Sequence, residues 1–204
     1  MIITLASFKG GTGKTTSAVH LAAFFQQAGP TLLIDGDANR SALAWSRRGE
    51  LPFKVIDERQ GAKHARDAEH IIIDTQARPD RDDLAALVEG CDELIIPTTP
   101  DALSLDALVL LTDELRDLGA ANWRVLLTLC PPRPSHDADE ARVMLDAAGI
   151  PLFAGQIRRA VAFQKAALTG CIVAAVADPR AAAAAADYIA IAQEVKLNHD
   201  RKTK

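Results

Sequence analysis

Lys9-Gly10-Gly11-Thr12-Gly13-Lys14-Thr15-Thr16 is the stretch that decides the reading of this chain. It follows the apolar run Ile2-Ile3-Thr4-Leu5-Ala6-Ser7 and opens residues 15–27, where Ala18, Leu21, Ala22 and Phe25 share one helical face. Strand, glycine-rich turn and helix in that order are what a phosphate-binding loop requires. Glycines let the backbone curl until the N–H groups of Gly10 to Lys14 converge on one anion, and the helix N-terminus adds partial positive charge. Lys14 is placed to reach the β- and γ-phosphates of a nucleoside triphosphate, and the Thr15 hydroxyl to ligate Mg²⁺. A glycine-rich turn by itself would read as a helix cap. Gly13-Lys14-Thr15 at the start of a helix turns the reading towards nucleotide.

Outward from that loop, strand-length apolar runs alternate with longer stretches of helical period, the pattern of a parallel sheet flanked by helices. Strands are expected at 2–7, 31–34, 53–56 (on a sheet edge), 71–74, 93–97 and 124–129. Helices are expected at 15–27, 42–48, 82–88, 102–118, 138–148, 162–169 and 181–197. The fold class is therefore α/β, with a mostly parallel twisted sheet. Neither a repeat nor a low-complexity linker interrupts the 204 residues, so residues 1–204 are expected to form a single domain with a short basic C-terminal tail.

Two acidic sites end expected strands, where ligands of open α/β sheets bind. Leu32-Leu33-Ile34-Asp35-Gly36-Asp37 ends one strand with paired carboxylates, and Ile71-Ile72-Ile73-Asp74 ends another. A carboxylate at Asp74 is suited to holding Mg²⁺ through a water. An aspartate after a strand is often only a cap, but convergence with the phosphate loop favours a site.

A net charge of −4 excludes a global basic field, so any nucleic-acid contact must be local. Cys91, Cys130 and Cys171 lack CxxC spacing and suit reduced thiols rather than a disulfide framework or metal site. With neither a signal-peptide pattern nor an apolar run of about 20 residues, the chain is expected to be cytoplasmic.

The loop departs from the usual phosphate-loop pattern. Phe8 stands where a glycine is usual, and a second lysine, Lys9, leads the loop. That combination resembles the ParA/MinD family of deviant Walker ATPases, specifically its short ParA-like partition and carboxysome-positioning members. The resemblance implies ATP and Mg²⁺ as ligands and an ATP-sandwich homodimer in which Lys9 contacts the partner's nucleotide. It also implies slow, partner-stimulated hydrolysis with Lys9, Lys14 and Asp37 in catalytic roles. Asp35-Gly36-Asp37 matches the family's D-x-D segment, whose second aspartate orients the attacking water. Asp35 then takes a Mg²⁺-proximal or structural role. Ala38 stands in place of the usual proline. Ile95-Ile96-Pro97-Thr98-Thr99-Pro100-Asp101-Ala102-Leu103-Ser104-Leu105 resembles the family segment that opens an interface helix. Cys130-Pro131-Pro132-Arg133-Pro134 replaces the usual adenine-side loop, where backbone groups and proline packing would serve.

Family members act on DNA or on membranes. The expected last helix has its apolar residues where a core helix would, and a polar, basic sequence follows, which points away from membrane binding. For nonspecific DNA the candidates are Arg180, Arg158 and Arg159, with Lys165 and the basic tail. The expectation is a nucleoid-associated ATPase that positions a plasmid through a ParB-like adaptor, or a carboxysome through its own adaptor. The alternatives are a metabolic ATPase of the dethiobiotin-synthetase-like ligase type, a nitrogenase-iron-protein-like reductase, and a MinD-like membrane-associated positioning ATPase.

Overall fold

In the computed structural model, which describes residues 1–202, six strands form one sheet in the order β3-β2-β4-β1-β5-β6, and every pairing is parallel. The strands are β1 (Ile2–Ser7), β2 (Thr31–Asp35), β3 (Lys54–Asp57), β4 (His70–Ala77), β5 (Glu93–Thr98) and β6 (Trp123–Leu127). The helices are α1 (Lys14–Phe25), α2 (Ser41–Ser46), α3 (Gly61–His64), α4 (Arg81–Glu89), α5 (Ala102–Asp117), α6 (Asp137–Ala147), α7 (Val161–Thr169) and α8 (Ala181–Lys202).

Helices cover both faces, which is why the strands read as continuous apolar runs. On one face α1, α2, α7 and α8 pack over Ile3, Leu5, Leu33, Ile72 and Ile95. On the other, α4, α5 and α6 pack over Ala6, Leu94, Ile96, Val125 and Leu127. Successive residues of β5 feed opposite cores, as strand periodicity requires.

Three differences from the sequence reading stand out. The sheet is wholly rather than mostly parallel. The segment between β3 and β4 holds α3 and flanking single turns of 3₁₀ helix, too short to show a helical period. Residues 196–202 belong to α8 instead of forming a tail, and Thr203 and Lys204 lie outside the described residues. Lys202 turns back towards Glu93, and Asn198 donates to Glu93 at 2.8 Å, so the end of α8 is tied to the start of β5. No helix among the described residues is long and apolar enough to cross a membrane.

The register sets the site. Asp35 on β2 pairs with Asp74 on β4, and Leu5 on β1 pairs with the same Asp74. Both carboxylates and the loop after β1 therefore meet at the C-terminal edge of the sheet. The chain changes direction there, with β4 on one side of β1 and β5 on the other.

Candidate functional site

The turn after β1 is shaped by Gly11 (φ 78°) and Gly13 (φ 84°), left-handed conformations that a side chain would resist. Gly13 is also the N-cap of α1. Unlike α4 and α5, whose first turns are capped by Asp80 and Asp101, α1 opens with no side-chain cap. Its first N–H groups are left for an external acceptor.

The loop is braced from below. Thr128 Oγ1 donates to Thr12 O at 2.7 Å, Ser7 Oγ donates to Lys9 O at 2.9 Å, and Thr12 Oγ1 donates to Ser7 Oγ at 3.2 Å. Arg78 reaches over from the end of β4, its Nε donating to Phe8 O at 3.0 Å. Sequence reading missed Thr128 and Arg78, because each meets the loop only through tertiary contact.

An open cavity of about 810 Å³ lies against this loop. Gly10, Gly11, Gly13, Lys14, Thr15 and Thr16 line it, together with Asp37 and Asn39. Thr12 and Lys9 do not. Thr12 is buried in the bracing just described. Lys9 turns the other way, its Nζ 3.0 Å from Asp101 Oδ1 and 2.8 Å from Ser104 Oγ at the start of α5. Burial works to raise the Asp101 carboxyl, yet hydrogen bonds from Thr99, Ser104 and Lys9 outweigh it and hold the group well below the usual carboxylate range. Thr99 makes a very short contact to the same carboxylate.

Asp74 is fully buried. Its Oδ2 accepts from Thr15 Oγ1 at 2.7 Å, while Oδ1 has no hydrogen-bond partner. Burial pushes its pKa up to about 7, against the lowering effects of Thr15 and Lys14. A buried carboxylate oxygen left without a partner is costly unless something else meets it. Oxygen donors at Thr15 and Asp74 beside an anion cradle suit a hard cation such as Mg²⁺. Among the described residues no cluster of three or more His, Cys, Asp or Glu forms a ready-made metal site. A cation here would thus rely on Thr15, Asp74 and the phosphates themselves.

Of the two roles open to Asp35, the geometry matches the structural one. Its oxygens accept from Asp37 N at 3.1 Å and Leu43 N at 2.9 Å, and it does not line the cavity. Burial raises its pKa. Asp37 does reach the cavity, and its Oδ1 accepts from Asn39 N at 2.9 Å and Asn39 Nδ2 at 3.1 Å.

Ala38 lines the cavity between Asp37 and Asn39, and most of the remaining wall lies where the sequence offered no signal. Ser41, Trp45 and Arg48 line it from α2 and the turn after it, Gln76 from the end of β4 and Ala167 from α7. From the expected adenine-side loop, the residue that reaches it is Leu129, not the Cys130–Pro134 stretch. The β-bridge from Cys130 to Arg158 draws that stretch towards the segment before α7 instead.

The three candidate DNA contacts separate. Arg158 is clamped by Asp187 of α8, with Nε and Nη2 each 2.7 Å from a carboxylate oxygen. That bond raises its pKa and balances its charge. Arg159 is exposed, and Arg180 stands exposed immediately before α8. Lys165 is paired with Asp178 at 2.7 Å.

A glycine-curled loop after the central strand, an uncapped helix start, Lys14, Thr15 and the buried Asp74 of β4 together define a P-loop nucleotide-binding protein. Residues 3–190 match the CobQ/CobB/MinD/ParA nucleotide binding domain, and the chain belongs to that ATPase family. It is 34% identical over 201 residues to the maintenance of carboxysome distribution protein A of Gloeobacter kilaueensis, covering 95% of this chain and 93% of that protein. Among solved structures, apo McdA from Cyanthece is similar with a TM-score of 0.74 at 18% identity, covering 95% of this chain and 98% of that one. The septum site-determining protein MinD of Pyrococcus horikoshii, complexed with Mg-ADP, gives a TM-score of 0.69 at 20% identity, covering 95% of each chain.

Proposed function

We propose that this chain is an ATP-driven, dimerising ATPase that binds DNA without sequence preference and positions a cargo through an adaptor protein. The observation that carries the reading is the division of the two lysines. Lys14 lines the chain's own cavity, whereas Lys9 projects from the same loop away from it, towards Asp101 and Ser104. A cation in that position is suited to a second copy's nucleotide, so that the competent site exists only in the dimer, as with an arginine finger supplied in trans.

Within one protomer, the N–H groups of residues 10–14 and the start of α1 bind the phosphates, and Lys14 neutralises them. Thr15 and Asp74 would hold the cation, Asp74 through a water. Mg²⁺, when bound, supplies charge neutralisation on the phosphates. Asp37 orients the attacking water from the loop after β2. Relatives named for carboxysome distribution support a carboxysome as cargo; a plasmid with a ParB-like adaptor fits the same machine. Cytoplasmic, nucleoid-associated action follows from the DNA contact, for which Arg159 and Arg180 carry the available charge.

The test measures ATP turnover and DNA mobility shift together. The reading expects slow turnover, a DNA shift with ATP and none with ADP. Lipid co-sedimentation without a DNA shift, or DNA-independent turnover of a small acid, would overturn it.

A further inference from the structure

Arg40 occupies a position at which its side chain is a liability unless it does something. It is the N-cap of α2, with φ 52° and ψ 43°, a left-handed conformation that glycine takes freely and L side chains resist. The turn alone would be satisfied by glycine. The guanidinium is nevertheless half-buried, and each of its three nitrogens lies near an oxygen. Nη1 donates to Asp35 O at 2.7 Å, Nε lies 3.1 Å from Asp57 Oδ2, and Nη2 lies 3.4 Å from Glu58 Oε1.

These contacts carry the β2–β3 pairing, which ends at Asp35 opposite Asp57, on into the loop that follows. On one side is the loop from Asp35 to Ser41, which carries Asp37. On the other is the end of β3, the edge strand. Asp57 is itself held there, its Oδ1 accepting from Arg59 N at 3.0 Å. Within the loop, Arg40 N donates to Asp37 O at 2.9 Å, while Asp37 N donates to Asp35 Oδ1 at 3.1 Å. The Arg40 side chain reaches back to Asp35 O and so closes the span from Asp35 to Arg40 into a ring. Asp37 sits in its middle and faces the cavity. Its carboxylate accepts from N and Nδ2 of Asn39, a neighbour in the same loop.

We propose that Arg40 is the positioning residue for the hydrolytic step. It straps the Asp37 loop to the Asp57–Glu58 end of β3, so that Asp37 is presented to the γ-phosphate side of the cavity in one geometry. The inference rests on the proposed role of Asp37. Arg40 itself does not line the cavity, so it acts through the loop and not on the nucleotide.

Arg40→Gly is the decisive variant, because it keeps the left-handed turn and removes only the strap. ATP turnover, ADP affinity, thermal midpoint and amide hydrogen exchange are measured on the full chain, with Asp37→Asn alongside. The expected result is a fall in kcat of about tenfold or more, with ADP affinity held within about threefold. Exchange at the Asp37, Asn39 and Arg40 amides should rise about tenfold while that in α1 stays unchanged. Arg40→Lys, which keeps the charge and loses the fork, should fall between.

Full turnover in Arg40→Gly while Asp37→Asn is inactive overturns the strap and leaves the role of Asp37 intact. Parallel loss of turnover and ADP affinity overturns it too, since Arg40 would then support the whole site. If the parent protein or Asp37→Asn shows that Asp37 has no part in turnover, the hydrolytic assignment fails. The exchange at residues 37–40 then decides the strap alone: unchanged exchange refutes it.

Discussion

Replacing Lys9 and Lys14 separately tests the division of labour inside one loop. Lys9 is paired with Asp101 at 3.0 Å, but the side chains are 36% and 50% exposed. Water screens such a pair, and it contributes about 0–1 kcal/mol. Lys9→Ala should therefore lower the thermal midpoint by no more than about 4 °C, given about 2–4 °C per kcal/mol at this chain length. Because Lys9 is outside its own cavity, ADP affinity should change by less than about twofold, a shift within about 0.4 kcal/mol. Lys14 is only 7% exposed and lines the cavity. Removing a charged hydrogen bond to phosphate costs about 1.5–3 kcal/mol, so Lys14→Ala should weaken ADP about 10- to 100-fold. Calorimetry with ADP measures both. Sedimentation velocity with a non-hydrolysable ATP analogue should then show a dimer for the parent protein and a monomer for Lys9→Ala. The reasoning is refuted if Lys9→Ala weakens ADP as strongly as Lys14→Ala, or still dimerises normally.

Three further outcomes follow from other parts of the structure. His20 donates from Nδ1 to Thr16 O and accepts from Val173 N at Nε2, and burial lowers its pKa from 6.5 to about 4. A depressed histidine contributes stability that is present above pH 6.5 and lost as pH falls towards 4. Measured against His20→Gln by urea unfolding at each pH, the parent protein should lose about 2 kcal/mol between pH 7.5 and 5. Asp74, raised to about 7, has the opposite sign. Measured against Asp74→Asn, the nucleotide-free parent protein should lose stability as pH rises from 4 to 7, so that Asp74→Asn is the more stable by a few kcal/mol at pH 8, about 4 at most, while losing the extra thermal stabilisation by Mg²⁺ with ATP. A pH-independent difference between the two would contradict the burial argument. For DNA, Arg159→Ala and Arg180→Ala should each flatten the salt dependence of binding by about one unit, and Arg158→Ala by less, because Asp187 already balances its charge. Equal effects at all three, read from salt titrations of the shift, would remove the distinction.

Several features were legible from residue order because their causes are local. Glycine at positions 11 and 13 is demanded by positive φ, and the apolar runs reflect burial on both sheet faces. Helix bounds drifted by up to five residues, most at α8, where 196–202 look polar but remain helical with Asn198 and Lys202 held to Glu93. The short helix at Gly61–His64 left no period to detect. Asp35 and Asp37 look equivalent in the string Asp35-Gly36-Asp37. Their difference is a matter of which way each carboxylate faces, one into backbone N–H groups and the other into the cavity.

The amino-acid order by itself determined that a glycine-rich loop follows the first strand, that the fold is α/β with a sheet flanked by helices, and that Asp35 ends the second strand. These rest on interactions within a few residues: backbone torsion, helix and strand periodicity, and the spacing of Gly13-Lys14-Thr15. Asp74, expected at a strand end, lies inside β4, which runs on to Ala77. The tertiary structure alone decided that Lys9 turns away from its own cavity and that the Asp35 carboxylate faces the backbone N–H groups of Asp37 and Leu43. It also decided that Arg158 is already neutralised and that Arg40 straps the Asp37 loop to the edge strand. Each depends on a partner between about 5 and 90 residues away in the chain, and no local pattern specifies which charges will meet once the sheet has set its register.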